Sequence, residues 1–395
     1  MKSVIITDGF WRKSLSCVRS LGKEGYKITV FGDTIWTTSF WSKYTSERVI
    51  CPSAKDKIFI FNQFITKFLA DNYKKNKKKI ILIPSEDATI NWLSKNRKKI
   101  SKYANFLLPN NSSLEIAQSK EKTLKIAKKI GINVPESFFF KKRDVFEKKI
   151  KKLSALNILE NYIVKPVKSS GSLGIIFPKN NFKIDWKSHW KKYGKLFIQK
   201  KIVSRTKGIG ISMIFDSNSN CIADFCHQRI KEYPLKGGPS TIRKSVKNYH
   251  LKIESQRLLK KLNWKGVAMV EWKYDDYDKS IKLLEINPRF WGSLELAVRA
   301  GVNFPLIYAK LSSNKKIKKI SNYKIGIKCR WIFPGEILRY FTEKEKNKES
   351  FFKFLKMIFY EGEEYDRKDF NGFISSIICN FFNLFKPKYW KYLNR

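Results

Sequence analysis

Histidine is nearly missing from this 395-residue chain, with three copies at positions 189, 227 and 250. Acids are scarce too: 34 Asp+Glu stand against 81 Lys+Arg, for a formal net charge of +47. None of the six cysteines (Cys17, Cys51, Cys221, Cys226, Cys329, Cys379) has a CxxC partner. That leaves no sign of a zinc site or a disulfide framework. Long apolar runs are also absent. The run within Met1–Asp8 is too short for a signal peptide, and none reaches the length of a spanning helix. No Ser-His-Asp or Cys-His constellation is evident. Cys226 and His227 adjoin on an expected strand and face opposite sides, while His189 and His250 sit among lysines and read as surface residues. The simplest expectation is a cytoplasmic protein with reduced thiols.

What the chain has in excess is lysine. A +47 surface attracts phosphates, nucleic acid or anionic membrane at long range. The excess is Lys rather than Arg, however, and accompanies abundant Ile, Asn and Phe, as AT-rich codons would produce. It is also spread in runs such as 74–79, 148–152 and 315–319. Compositional drift is favoured over a dedicated nucleic-acid surface. The length suits two or three domains.

The first third alternates strands (Ser3–Thr7, Lys27–Phe31, Ile80–Ile83) with helices (Arg12–Lys23 and one from about Ala88), a doubly wound α/β pattern. The dinucleotide fingerprint is missing, since the first turn is Asp8-Gly9-Phe10-Trp11, and Asp33 reads as a strand-end cap. A helix over Ser119–Ile130 stops at Gly131. Further elements are a strand at Ser137–Phe140, a basic amphipathic helix at Lys141–Leu156, and strands at Tyr162–Pro166, Ile175–Phe177, Leu196–Val203, Gly208–Phe215 and Cys221–Gln228. Arg257–Leu262 belongs to a helix. From about Ser313 a lysine-rich linker leads to a strand at Ile327–Trp331 and a helical, aromatic-rich tail. Within it Phe373–Phe385 is apolar and flanked by Lys386, Lys388, Lys391 and Arg395. It is too short to span a bilayer. Packing on its own domain is favoured, with peripheral membrane contact as the alternative.

The chemistry concentrates in two strands, Val267–Trp272 and Leu283–Phe290. A hairpin turning near Asp278 sets Glu271 across from Glu285, and Glu285, Asn287 and Arg289 share a face. Facing carboxylates repel, more so when buried. A divalent cation removes the problem, and hard oxygen ligands suit Mg²⁺ with phosphates completing its shell. The bland alternative is a solvated hairpin face. Upstream, the Ser/Gly turn Lys168–Gly174 offers free N–H groups after two lysines, Lys120 and Lys165, and before the acidic hairpin. Phosphates held between protein cations and metal ions need that arrangement.

In order along the chain come Ser119-Lys120 opening a helix, Ile163-Val164-Lys165-Pro166, the Ser/Gly loop and Phe197–Ile202. The loop His227–Thr241, then Val270-Glu271-Trp272 and Glu285-Ile286-Asn287-Pro288-Arg289, follow. From Ser119 to about Leu311 this order resembles the ATP-grasp superfamily, in the branch with carboxylate–amine ligase-like and carbamoyl-phosphate-synthase-like members. The resemblance implies an α/β (α+β) fold. Residues 1–110 would form a Rossmann-like pre-ATP-grasp domain and 111–312 the ATP-grasp domain. The latter would comprise a small lid of about 135–200 and a large subdomain of about 201–312, with 313–395 a basic aromatic-rich extension.

It also implies roles. Lys120 and Lys165 would contact nucleotide phosphates, and Ser169, Ser170, Gly171, Ser172 and Gly174 would cover them. Gln199, Lys200, Lys201 and Ile202 would form the adenine-side hinge, with the backbone of Lys200 and Ile202 reading the base edge. Relatives often carry an acid there; this chain does not. Glu271, Glu285 and Asn287 would hold Mg²⁺ (or Mn²⁺), as two ions. Arg289 would stabilise the transferring phosphoryl group. Arg229, with Glu232 and the turn Gly237-Gly238-Pro239, lines the expected acceptor pocket or forms a structural loop. The implied reaction converts a small-molecule carboxylate to an acyl-phosphate with ATP and passes it to an amine-type acceptor. Its rivals are an ATP-grasp kinase or carbamoyl-phosphate-type enzyme, and a non-catalytic basic polyanion-binding protein. No motif names the carboxylate or the amine, and none sets the oligomeric state.

Overall fold

The computed structural model describes residues 2–169, 171–180, 184–235, 237–343 and 349–385. Three sheets organise them. The first gathers β1 (Ser3–Ile6), β2 (Lys27–Gly32), β3 (Glu47–Ile50), β4 (Ile80–Ile83) and β5 (Ala104–Asn105), in the order β3-β2-β1-β4-β5 and parallel throughout. β4 is buried along its whole length, as a strand covered on both faces must be. The strand order reverses between β1 and β4. Crevices for ligands open beyond the C-terminal ends of strands at such a switch point.

The second sheet is small and antiparallel: β6 (Ser137–Phe139), β7 (Tyr162–Pro166) and β8 (Leu196–Lys200), in the order β6-β8-β7. The helix Arg143–Ala155 packs on it through Phe146, Ile150 and Leu153, spaced along one helical face. The third sheet is β9 (Ile209–Phe215), β10 (Cys221–Glu232), β11 (Ser240–Val246), β12 (Gly266–Asp275), β13 (Ser280–Asn287) and β14 (Lys328–Arg330). It is antiparallel, in the order β13-β12-β9-β10-β11-β14.

Alternation sorts the two faces of this large sheet. Ile214, Phe225, Val267 and Met269 share a core with Val4, Ile6 and Val30 of the first sheet. Ile211, Met213, Ala268 and Val270 face the other way, toward helices Lys120–Lys129 and Tyr249–Lys261. One core thus fixes the first sheet against the third. The C-terminal segment fastens to both. β14 closes the large sheet, and Arg19, buried near the first sheet, donates from Nε to Asp369 Oδ2 at 2.8 Å. Trp36 stacks on Phe382 with ring centroids 4.0 Å apart.

Several expectations need correction. Ile175–Phe177 is no strand; it makes a single bridge, Val164 to Ile176. The stretch 227–241 is not one loop, because β10 continues to Glu232 and β11 begins at Ser240. Arg257–Leu262 does belong to a helix, which runs Tyr249–Lys261 behind an Asn248 cap. β8 stops at Lys200 rather than Val203. His189 is partly buried and bonds Gly174 O at 2.9 Å, whereas His250 is exposed as expected. All six cysteines are free and buried. Among the described residues no helix is long and apolar enough to cross a membrane.

Candidate active site

The hairpin of β12 and β13 carries the acids. Glu271 stands opposite Glu285 in the ladder. Asn287, two residues along the same face, donates from Nδ2 to Glu271 Oε1 at 3.1 Å and to Glu285 Oε1 at 3.2 Å. Two carboxylates this close need cations, and each has one. Arg229 Nη2 donates to Glu271 Oε2 at 2.5 Å, and Lys120 Nζ lies 2.9 Å from Glu285 Oε2. Arg229 reaches Glu271 across β9, which carries no side chain at Gly210 and is preceded by Gly208. A Cβ on Gly210 would collide with the His227 ring.

Burial disfavours the charged form of both acids. For Glu271 it prevails over Arg229, and the pKa is raised. For Glu285 it is outweighed by Lys120, Lys165 and Asn287, and the pKa is lowered. The pair therefore differs in proton affinity although the residues are the same.

The cationic side is tied to a loop. Lys120 opens its helix beside the Ser119 cap and also donates to Ser169 O at 2.7 Å. Lys165, on β7, donates to Gln199 Oε1 at 2.7 Å, and Gln199 Nε2 is held by Ser137 Oγ at 3.0 Å. Burial, then the neighbouring Lys120, lowers the Lys165 pKa to about 8. Gly171, Ser172 and Gly174 all have positive φ (60°, 63° and 73°), so the turn suits glycine and strains a serine. Ser170 lies outside the described residues.

These groups line a cleft of about 590 Å³ between the second and third sheets. Lys120, Lys165, Ser169 and Ser172 line it together with Glu271 and Glu285. Ile163, Ile175 and Phe177 form an apolar wall. Gln199, Lys201 and Ile202 also reach it, but the Lys200 side chain does not, its ammonium lying over the Tyr277 ring at 5.1 Å. The N–H of Lys200 donates to Glu136 O and that of Lys201 to Asn161 O. The N–H of Ile202 makes no hydrogen bond among the described residues. The hinge reading thus narrows: the Lys200 N–H is already committed.

A second cavity, of about 270 Å³, adjoins the first and shares Ser172, Arg229, Gly238, Glu271 and Glu285 with it, so the turn at 171–173 borders both. The region around the first sheet contributes Arg12, Lys13 and Glu86, and the large sheet with its following turn contributes His227, Arg243, Asn287, Arg289 and Trp291. It lies at the switch point of the first sheet, where Glu86 and Asp87 follow β4. Arg289 Nε donates to Asp87 Oδ2 at 3.4 Å. Burial opposes the Arg289 charge, but Asp87 and Glu86 outweigh it and its pKa is raised. Burial, then Arg229 and Arg243, lowers the His227 pKa to about 3, so the ring is neutral at pH 7.

Sequence reasoning placed Lys120, Lys165, Arg229, Glu271, Glu285, Asn287 and Arg289 near one another, and they line these two cavities. It missed Arg12, Lys13, Glu86, Asp87 and Arg243. The signal for Glu86 and Asp87 is their position just after the parallel strand Ile80–Ile83, at the switch point of the sheet.

The donor set fits a hard divalent cation: two carboxylates and, with its amide turned, the oxygen of Asn287. No cluster of three or more His, Cys, Asp or Glu side chains is placed for a metal among the described residues. Phosphate and water would have to supply the remaining ligands.

The arrangement of small antiparallel sheet, large antiparallel sheet and preceding parallel sheet is the ATP-grasp fold, and the resemblance read from the motifs holds. Residues 202–333 match the model of a family described as ATP-grasp in the biosynthetic pathway with Ter operon. No curated protein matches in sequence. Among solved structures, the biotin carboxylase of Campylobacter jejuni is similar with a TM-score of 0.65 at 14% identity, over 83% of this chain and 74% of that one. The N5-carboxyaminoimidazole synthetase of Staphylococcus aureus gives a TM-score of 0.59 at 14% identity, over 82% and 80%. The N5-carboxyaminoimidazole ribonucleotide synthetase of Thermotoga maritima gives 0.55 at 15% identity, over 83% and 79%.

Proposed function

We propose that the chain is a Mg·ATP-dependent ligase that activates a carboxylate as an acyl-phosphate and joins it to an amine-type nucleophile. The observation that carries this reading is the pair of cavities meeting at Glu271 and Glu285. Two substrates held in adjoining cavities meet where the acids are. The larger cleft takes the nucleotide, with its apolar wall for the base and Lys120 and Lys165 for the phosphates. The smaller, rich in arginine and lysine, takes the carboxylate. Of the similar structures, one biotin carboxylase domain was solved with MgADP, ADP and bicarbonate, a nucleotide and a small carboxylate-like anion together.

Glu271, Glu285 and Asn287 would hold the metal, which supplies charge neutralisation for the triphosphate. Lys120 and Lys165 orient the phosphates, and the loop Ser169–Gly174 excludes water above them. A substrate carboxylate oxygen attacks the γ-phosphorus and ADP leaves. The amine then attacks the acyl carbon, the C–O bond to phosphate breaks, and the amine gives up a proton. Arg289, held by Asp87 and the Phe290 carbonyl, would stabilise the charge that develops on the phosphoryl oxygens. Arg229 neutralises Glu271 and is freed to meet an anion when a cation takes over that task.

The test is an assay of ADP release over a panel of carboxylates with an amine acceptor. Turnover needing both partners, and lost in Glu285→Gln, supports the reading. A phosphorylated product with no amide, from any carboxylate, would instead mark a kinase.

A further inference from the structure

Residues 349–385 contain six acids, and none of them is exposed. Glu349 and Glu361 pair with Arg330, Glu363 with Arg12, Asp366 with Lys23 and Asp369 with Arg19. Glu364 accepts from the backbone N–H of Ile332 at 3.1 Å. The four bases of the same stretch, Lys353, Lys356, Arg367 and Lys368, are all exposed. The segment turns its negative charge inward and its positive charge outward.

Large apolar side chains accompany the bases. On the helix Phe351–Tyr360 only Phe354 is buried, while Phe351, Phe352, Leu355 and Phe359 are exposed and Phe352 reaches 82%. Positions 351, 352, 355 and 359 form one helical face. On the helix Phe370–Leu384, Phe370, Ile378 and Phe381 are exposed, and Phe385 follows at 69%. Ring contacts from Phe359 to Tyr365 (5.1 Å), Tyr365 to Phe373 (5.3 Å) and Phe373 to Phe370 (5.9 Å) connect the two faces. Chains that stay monomeric seldom leave so much apolar surface uncovered.

The charge pattern selects the occupant. A second copy would bring the same exposed bases to the same face, where they repel. A bilayer with anionic headgroups takes both features at once, with rings at the acyl boundary and lysines among the headgroups. We propose that this outer face of residues 351–385 docks the protein on an anionic membrane surface, lying in the interface rather than crossing it. Its first helix packs near the nucleotide-side cleft, since Phe354 stacks on Tyr340 with ring centroids 4.5 Å apart, two residues from Thr342 in the cleft lining.

The experiment is co-sedimentation of the full chain with phosphatidylcholine vesicles, with and without about 30% phosphatidylglycerol, at about 0.1 M salt. Binding is expected only with phosphatidylglycerol. Phe352→Ser with Phe359→Ser, and separately Lys353→Gln with Lys356→Gln, should each weaken it by roughly tenfold or more. Unchanged melting shows that these exposed substitutions leave the fold intact. Because the whole chain is basic, the control is Lys74→Gln, Lys75→Gln and Lys78→Gln, which are exposed and outside the segment. A loss in that control equal to the loss in the lysine pair, or full binding by the serine pair, overturns the proposal as mere charge attraction. No binding to either vesicle overturns it too. So does self-association abolished by the serine pair without any vesicle binding, which would make a second copy the occupant.

Discussion

Lys165 is the residue whose environment says most about its task. It is partly buried beside Lys120 and held by a neutral amide, Gln199, and its pKa is lowered from 10.5 to about 8. The folded state therefore binds its proton less readily than the unfolded chain. Between about pH 8 and 10.5 the unfolded chain holds more protons, so the contribution of Lys165 to stability rises with pH across that window. Below it the penalty of the buried charge is full. Comparing melting of the wild type with Lys165→Met should show this rise in the difference between them, and a flat difference would contradict the burial argument. Gln199→Glu gives the lysine an anion, and should move the window upward.

The acids were legible because strand periodicity and a short turn suffice to pair Glu271 with Glu285. The amide that orients Lys165 was not. Gln199 looked like a departure from a hinge acid, and only the three-stranded sheet shows Ser137 and Gln199 lined up behind the lysine. Asp87 escaped for a similar reason: its partner, Arg289, is 202 residues away. Asp87→Asn should lower turnover more than ATP affinity, because its partner Arg289 lines the second cavity and not the nucleotide cleft. Equal loss in both would place Arg289 against the nucleotide instead.

At the scale of elements, the loop Ser169–Gly174 is held at three points. Lys120 binds Ser169 O, His189 meets Gly174 O, and the Gly174 backbone sits at φ +73° against Pro166 and Tyr193. A Cβ there would stand 2.8 Å from Pro166 Cγ and 2.9 Å from the Tyr193 ring. Gly174→Ala must displace the loop, and the strain of the left-handed backbone adds about 1 kcal/mol or more. ATP affinity should fall by roughly tenfold, measured by calorimetry, while melting shifts little. Wild-type affinity would mean that the loop does not cover the phosphates. The glycines marked this turn in the sequence. Its return segment is apolar without entering a sheet, because Ile175 and Phe177 line the cleft and only Ile176 turns to Val164 and the core of the small sheet.

For the whole molecule, one apolar core and a set of buried ion pairs lock the first sheet, the large sheet and the C-terminal segment together. Arg19 and Asp369 are both buried; Asp369 also accepts from Ser42 Oγ and Lys43 N, at 2.8 and 2.9 Å. Asp369→Ala leaves the buried Arg19 guanidinium with backbone carbonyls but no carboxylate, and should cost about 3–5 kcal/mol in denaturant unfolding. A change below about 1 kcal/mol would mean that the C-terminal segment is not an integral part of the fold. This closure was hidden in the sequence. Composition changes at Ser313, and nothing local reveals that Lys328–Arg330 completes a sheet begun at Ile209 or that Asp369 returns to the first helix. Motif order, by contrast, was enough for the fold class, because the Lys120 helix, the Lys165 strand and the acid-bearing hairpin keep their element types although the stretch 227–241 does not.

The central claim is that Glu271, Glu285 and Asn287 make nucleotide binding depend on a divalent cation. Calorimetric titration of ATP with and without Mg²⁺, on the wild type and on Glu285→Ala, tests it most directly. The account predicts Mg-dependent binding in the wild type and weaker, Mg-insensitive binding in the variant. Binding of equal strength in all four titrations, or none in folded wild type, would contradict it.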